Sequence, residues 1–480
     1  MKLSKAILYI ENTTSDLLLD TIEAMQIIGA VSETFLICGK ASESILDFKE
    51  IKQRIENNTI QLSADYTKGL DIFDSYQLED NLLIVTIGNQ TPIKLYIANR
   101  LRQSKVNFGW HIISSTYARI GYLERQKNLS DFIPLDTARW LKEQIDRFGI
   151  KVFSDCLNTL KDSSVLILGE TIIDEYIYCD ALGKVTKDPL IAFEKRTNQV
   201  HLGGVLAVAR HFSGLGINSS VITKWATSDH EFISNELSLN KEITLVNLES
   251  NLSIKKTRYV DRSSNSRVFE TYELPNESEH ITSPQQIKNL ISERKIAFNH
   301  LVIMDYGHNF FDHELSSEYY NFGVPVSVNT QSNAGNRGFN PISNYMSADI
   351  VFLNGSEVQV EMRNKVSKLD KIVTDLGNKL KCKELYVTNG SAGITSWSKE
   401  KGIVVSPTFA PTILDRTGAG DAVLAAISSL RMNNVPIEIA LFFGNIAGAI
   451  MVGVLGNEKA ITSKDLKFES DRIIEKIKIQ

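Results

Sequence analysis

The chain has 480 residues, 43% hydrophobic and 23% charged, which is ordinary for folded protein and at odds with a disordered or fibrous chain. At roughly 100–200 residues per domain this length leads us to expect more than one core. Lysine and arginine total 52 and aspartate and glutamate 57, a formal charge of −5, so no basic excess is available to neutralise nucleic-acid phosphates and no nucleic-acid partner is expected.

The first part alternates strand-like runs (AILYIE, TFLICG, NLLIVTIG, NFGWHIIS) with helix-like stretches such as SDLLLDTIEAMQIIGAV and TPIKLYIANRLRQS. That order predicts a parallel α/β sheet. No signal-peptide h-region or cleavage site follows the N-terminal lysines. Cys38, Cys156, Cys179 and Cys382 lack any CxxC spacing, which suits buried thiols in a reducing, cytoplasmic setting. A further pattern, DTARWLKEQIDRFGI, puts Trp140, Leu141, Ile145 and Phe148 on one helical face and could bridge the two halves. The domain boundary is expected near residues 150–163, giving an N-terminal domain over 1–150 and a second over 162–480. After the polar KDSS, the run VLILGETIIDEYIYCD starts a new series of alternating strands and helices. Two stretches in it, IAFEKRTNQVHL and SIKKTRYVDRSSNSRVFETYEL, read as strands of a small separate sheet that serves as a lid. Near the end, IALFFGNIAGAIMVGVLG (439–456) is uncharged and close to the roughly 18-residue length of a membrane span. Asn445 and four glycines interrupt it, so it reads as a buried helix and strand, with no membrane role.

The strongest chemical signal is LDRTGAGDAVLAAISSLRM from Leu414. Gly418 and Gly420 lead into a helical pattern whose first turn holds Asp421. Glycines let the backbone turn tightly and approach a ligand, and amides at a helix N-terminus attract anions. A phosphoryl group in transfer needs such amides, and a carboxylate in the same turn can accept a hydroxyl proton. The bland alternative is a simple turn with a helix cap.

Asp415 to Ala422, DRTGAGDA, resembles the Asp-Thr-x-Gly-Ala-Gly-Asp signature of the ribokinase (pfkB) family of carbohydrate kinases, and the resemblance runs from about residue 162 to 470. It implies a ribokinase-like three-layer α/β/α domain with a small β-sheet lid, which would follow the parallel, Rossmann-like α/β domain read from the alternation in the first part. By the same resemblance the amides of Gly418, Ala419 and Gly420 form the anion hole and Asp421 is the catalytic base. Asp415 and Thr417 lie where many members bind a monovalent cation such as K⁺. Asp174 in GETIIDEY, Gly203 and Gly204 in HLGGVLAVARHF, Asp305 in DYGHNFF and Arg258 in KKTRYV fall on the acceptor side. An asparagine common in the Gly-Gly segment is replaced here by Ala207, which removes one acceptor hydrogen bond. Asn354 and Glu357 stand at the family's Asn-x-x-Glu spacing, with Glu357 holding Mg²⁺ through water. Thr388, Gly390, Gly393 and Asn445 fall on the ATP side, although Asn445 is equally a satisfied buried amide.

GETIIDEY, the Gly-Gly segment and DYGHN lean toward heptose-phosphate kinases, including chains that join a kinase to a nucleotidyltransferase. A phosphorylated acceptor would need cations, for which Lys184, Lys187 and Arg258 are candidates. His308 reads as a surface or structural residue. The N-terminal part lacks an HxGH motif, so nucleotidyl transfer by phosphate-binding histidines is not expected there. The turn Gly88–Thr91 could bind an anion but reads as a cap, and the first domain is left as a relic, an oligomerisation unit or a binding module. The leading expectation is ATP- and Mg²⁺-dependent phosphorylation of a sugar or sugar phosphate. Alternatives are a non-catalytic sugar- or nucleotide-binding regulator and a kinase of nucleosides or other small alcohols. A homo-oligomer is compatible with a lid sheet that pairs between subunits.

Overall fold

The computed structural model describes five strands of the N-terminal part and residues 133–479, apart from 264–265, 277–279, 337, 410–414 and 455. The chain divides into compact units 1–127 and 128–480. In the first unit β1 (Lys5–Ile10), β2 (Glu33–Cys38), β3 (Ile60–Ser63), β4 (Leu82–Ile87) and β5 (Trp110–Ile113) form one sheet in the order β3-β2-β1-β4-β5. Every pairing in it is parallel. Four strands fall on the apolar runs seen in the sequence, whereas β3, the short IQLS, carries too little apolar pattern to stand out. The expected helices over 15–31 and 91–104 and the turn Gly88–Thr91 lie outside the described residues.

The second unit opens with α1 (Leu135–Phe148) and α2 (Ile150–Asp155). Leu141 of α1 is fully buried in the core of this unit, with Trp140, Ile145 and Phe148 packed beside it. Arg147 pairs with Glu438 at 3.1 Å, and Thr137 Oγ1 donates to the Thr408 carbonyl at 3.1 Å. This helix therefore belongs to the second unit, ahead of the 150–163 stretch.

The main sheet contains β6 (Ser164–Gly169), β9 (Asn218–Thr223), β10 (Ile243–Asn247), β13 (His300–Asp305), β14 (Val326–Thr330), β15 (Ile350–Asn354), β16 (Glu384–Thr388), β17 (Ile394–Ser398) and β18 (Gly402–Ser406). Its order is β10-β9-β6-β13-β14-β15-β16-β17-β18, parallel as far as β16 and antiparallel at β17 and β18. All six residues of β13 are buried, as a central parallel strand covered on both faces requires. Alternation along β6 sends Val165 and Ile167 to one core and Leu166 and Leu168 to the other. The first core is closed by α3 (Val205–Gly214), α8 (Ala419–Met432), α9 (Ile437–Met451) and α10 (Ser463–Ile479), together with α1 and α2. The second is closed by α5 (Pro284–Glu293), α6 (Gly355–Glu361) and α7 (Leu369–Leu380), while α4 (His230–Leu237) sends Ile233 and Leu237 into the first. Nearly every residue of α9 is buried, which accounts for its membrane-like composition, and no described helix is long and apolar enough to cross a membrane.

The lid is a four-stranded sheet of order β12-β11-β7-β8, built from β7 (Thr171–Lys184), β8 (Ile191–Gly204), β11 (Ile254–Asp261) and β12 (Ser266–Glu273). The run VLILGETIIDEYIYCD, read as one strand start in the main series, is split between both sheets. Gly169 has φ +144°, and a Cβ there would lie 2.0 Å from the Met304 carbonyl oxygen, so the chain turns out of β6 at this glycine and enters β7 two residues later. Cys156, Cys179 and Cys382 are buried free thiols.

Candidate active site

The parallel strands end on one edge, where α/β sheets gather ligands. Asp305 closes β13, Asn354 closes β15 and Thr388, its register partner, closes β16. Against this edge stands the N-terminus of α8. Gly418 is its N-cap, at φ +75° and with no side-chain cap, so the first amides are left without a side-chain acceptor. A Cβ on Gly418 would lie 2.0 Å from Asn457 Oδ1, whereas one on Gly420 would meet nothing within 4 Å. Gly418 is thus needed for the turn, and Gly420 faces open space beside Asp421.

Asp421 is only partly accessible, and its pKa is pushed up to about 7, mainly by burial and also by the Asp174 charge. Tyr306 donates its hydroxyl to Asp421 Oδ1 at 3.2 Å and, with the charge of Lys256, opposes that rise. Tyr306 was not singled out from the sequence, because 115 residues separate it from Asp421.

The lid supplies the opposite wall. Lys256 of β11 pairs in register with Asp174 of β7 and Tyr272 of β12, and Arg258 with Tyr176 and Glu270. Strand alternation puts these six side chains on one face. Arg258 Nη1 donates to Asp174 Oδ1 at 2.5 Å, with the Arg258 guanidinium 5.3 Å from the Tyr176 ring centre. Asn457 donates to the other Asp174 oxygen at 3.4 Å. A Cβ on Gly203 would come within 2.3 Å of Asp174 Oδ2, and one on Gly204, at φ +57°, within 2.2 Å of the Glu170 carbonyl oxygen. Both glycines are therefore required by close packing, Gly203 against Asp174 and Gly204 against the backbone of residues 170–172. Ala207 is buried within α3.

Lys256 is the cation that sequence reading missed. It is 5% exposed and lies over the Tyr272 ring at 5.3 Å, with no hydrogen bond or ion pair to a described residue. Burial holds its pKa down, partly offset by Asp174. His308 is buried rather than on the surface, and burial, then Lys256, lowers its pKa to about 3. Its Nε2 has no partner among the described residues. Lys184 and Lys187 are exposed. Ten residues along β7 from Asp174, Lys184 is about 33 Å away at ~3.3 Å per residue, too far to join this wall.

Asp305 is turned into its own loop. Its Oδ1 accepts from Gly307 N (2.9 Å) and Asn340 Nδ2 (3.0 Å), and its Oδ2 from Tyr345 (2.6 Å) and His313 (2.8 Å). A sugar hydroxyl would have to compete with all four. Beside it the fully buried Glu170 accepts the amides of Tyr306 and His308, each at 3.0 Å, and burial followed by the Asp305 charge raises its pKa to about 7. Together the two carboxylates hold the loop that carries Tyr306.

On the other side Asn354 and Glu357 form a capping box at α6. Glu357 also accepts the Ser332 amide at 3.0 Å, so both its oxygens serve backbone amides, and burial lifts its pKa to about 7. Such a carboxylate suits contact with magnesium through water at most, and among the described residues no acidic or histidine cluster would enclose the ion. Gly390 and Gly393 have φ +53° and +85°; a Cβ on Gly393 would meet the Ser406 carbonyl oxygen at 2.1 Å, while Gly390 borders open space. Asn445 is a buried amide tied to Ser406, donating to its Oγ at 2.8 Å.

Asp415 and Thr417 are bound by a lid residue. Arg267 Nη2 lies 2.7 Å from both Asp415 Oδ1 and Thr417 Oγ1, and Tyr176 donates to Thr417 Oγ1 at 3.2 Å. Amide donors and the Arg267 charge, working against partial burial, hold the Asp415 carboxyl below its ordinary range.

Residues 317–463 match the model of the pfkB family carbohydrate kinases. Among curated proteins the chain is similar to the bifunctional protein HldE of Aliarcobacter butzleri, 24% identical over 322 residues, covering 65% of each chain. It is also similar to HldE of Koribacter versatilis, 25% identical over 315 residues, covering 63% of each. The chain thus spans just under two thirds of the length of these relatives. Among solved structures it resembles Escherichia coli phosphofructokinase-2 in complex with substrates and products, with a TM-score of 0.53, 16% identity and coverage of 65% of this chain and 99% of that one. The same enzyme in complex with potassium gives a TM-score of 0.52, with the same identity and coverage.

Proposed function

The second unit belongs to the pfkB family of carbohydrate kinases, and from that premise we propose that it moves the γ-phosphoryl group of MgATP to a hydroxyl of a sugar phosphate, with a heptose phosphate favoured. The observation that carries this reading is Asp421, a carboxylate with a pKa of about 7 beside uncapped helix amides and opposite the lid carboxylate Asp174. The acceptor oxygen attacks the γ-phosphorus, its proton passes to Asp421, and the bond from that phosphorus to the β–γ bridging oxygen breaks, releasing ADP. The amides at Gly418 to Gly420 stabilise the charge on the transferred group, and Tyr306 aims the Asp421 carboxylate. Bound magnesium would neutralise phosphate charge, with Glu357 acting through water and through the shape of the α6 turn. Asp174, held by Arg258 and Asn457, positions acceptor hydroxyls.

Lys256 favours a phosphorylated acceptor over a free sugar. Lys256 is 5% exposed as a residue and, apart from the Tyr272 ring, makes no hydrogen bond or ion pair to a described residue, so a ligand anion would complete it, and His308 Nε2 is likewise unpartnered among the described residues. The similarity to HldE proteins agrees with this acceptor class.

The test is ADP release from MgATP across free sugars and sugar phosphates, heptose 7-phosphate included. Acceptor-dependent release should fall by about 10²-fold or more in Asp421→Asn. No release with any acceptor, despite measurable binding of ATP or sugar, would move the reading to a non-catalytic regulator.

A further inference from the structure

The resemblance that assigns Asp415 and Thr417 to a monovalent cation meets residues that do not fit one. A cation needs oxygen lone pairs turned toward it, and here hydrogen donors occupy those directions. Asp415 Oδ1 receives Arg267 Nη2 at 2.7 Å, Thr417 N at 3.1 Å and Thr417 Oγ1 at 3.0 Å. Its Oδ2 receives Gly456 N at 3.0 Å, with the Tyr176 oxygen 3.4 Å away and that hydroxyl's single proton given to Thr417 Oγ1. Thr417 Oγ1 takes Arg267 and Tyr176 as well. The guanidinium is charged at every working pH, so the carboxylate is already neutralised and a second cation would meet like charge.

A specific backbone feature places Arg267 here. Tyr259 of β11 pairs with Phe269 of β12, but the next residue, Val260, pairs with Arg267, which leaves Val268 as an extra residue in a bulge. Without that bulge, strand alternation would send Arg267 to the side where Tyr259 stacks on Phe269. With it, Arg267 turns to the face of Lys256 and Arg258 and reaches the loop ahead of α8.

We infer that Arg267 is a built-in cation: it latches the lid strand β12 to the Asp415–Thr417 loop and does the work that a bound monovalent ion would do there. The lid and the anion-binding turn are thereby joined through one side chain. The activity consequence, turnover without any added monovalent cation, rests on the kinase reading, whereas the cation-binding consequence does not.

The test compares the native chain, Arg267→Ala and Arg267→Lys in potassium chloride and in tetramethylammonium chloride at equal ionic strength, reading thermal midpoint and acceptor-dependent ADP release. The native chain and Arg267→Lys should show the same midpoint in both salts and rates that agree within about twofold. Arg267→Ala should lose about tenfold in rate in tetramethylammonium, and potassium should raise its midpoint and restore part of that loss. A native chain that is stabilised or activated by potassium would overturn the inference, as would an Arg267→Ala variant whose midpoint ignores potassium. The midpoints report on the cation even where no acceptor is phosphorylated, so failure of the latch and failure of the kinase reading are told apart.

Discussion

A carboxylate that accepts an alcohol proton works best with a pKa near the working pH, and Asp421 is raised to about 7, chiefly by burial. The protonated form cannot act as base, so acceptor-dependent turnover should rise with pH through about 7 and level off above it in a pH–rate profile. Tyr306→Phe removes a donor that favours the charged carboxylate, so the same limb should move up by about 0.5–1 pH unit. An unchanged limb would disconnect the two residues. Lys256→Met tests the proposed acceptor phosphate separately. It should raise KM for a phosphorylated acceptor about tenfold or more while leaving KM for ATP within about twofold. At this scale the sequence was informative where residues are neighbours: Gly418 to Asp421 lie within one helical turn, whereas Asn354 and Glu357, noted for a magnesium-side spacing, turn out to cap α6. Tyr306 and Lys256 were not legible, because nothing in DYGHN or SIKKTRY indicates what faces them.

At the scale of elements, the departure of the chain from β6 into the lid depends on Gly169 and Glu170. Gly169→Ala places a Cβ against the Met304 carbonyl oxygen in a backbone region that side chains rarely adopt, and should cost at least about 2 kcal/mol in denaturant unfolding. Glu170→Ala strands the buried amides of Tyr306 and His308 and should cost about 3 kcal/mol. It should also depress turnover, because the released loop carries Tyr306. The lid was legible in part. IAFEKRTNQVHL and SIKKTRYVDRSSNSRVFETYEL do lie on lid strands, but β7 was hidden because it starts two residues after β6 and its Ile172 and Ile173 continue that strand's apolar run. Both isoleucines are buried at the base of the lid, so composition alone could not separate the two sheets.

For the whole molecule, both described hydrophobic cores of the second unit are built from residues between 138 and 477. A chain of residues 128–480 is therefore expected to fold cooperatively and keep acceptor-dependent ADP release within about threefold of the full chain. Loss of that activity in a folded fragment would assign residues 1–127 a direct part in the reaction.

What the sequence determined by itself was whatever is written in neighbouring residues: the alternation of strands and helices, and the glycine turn into α8 with its carboxylate. These follow from backbone sterics and helix-end hydrogen bonding, which act over a few residues. The tertiary structure alone decided which distant groups meet. Arg267 reaches Asp415 across 148 residues only because one bulge turns it over, and Arg258 reaches Asp174 across 84 because β11 pairs with β7 in one register. A shift of one residue in either strand would turn those side chains to the opposite face, and register is set by the packing of whole sheets.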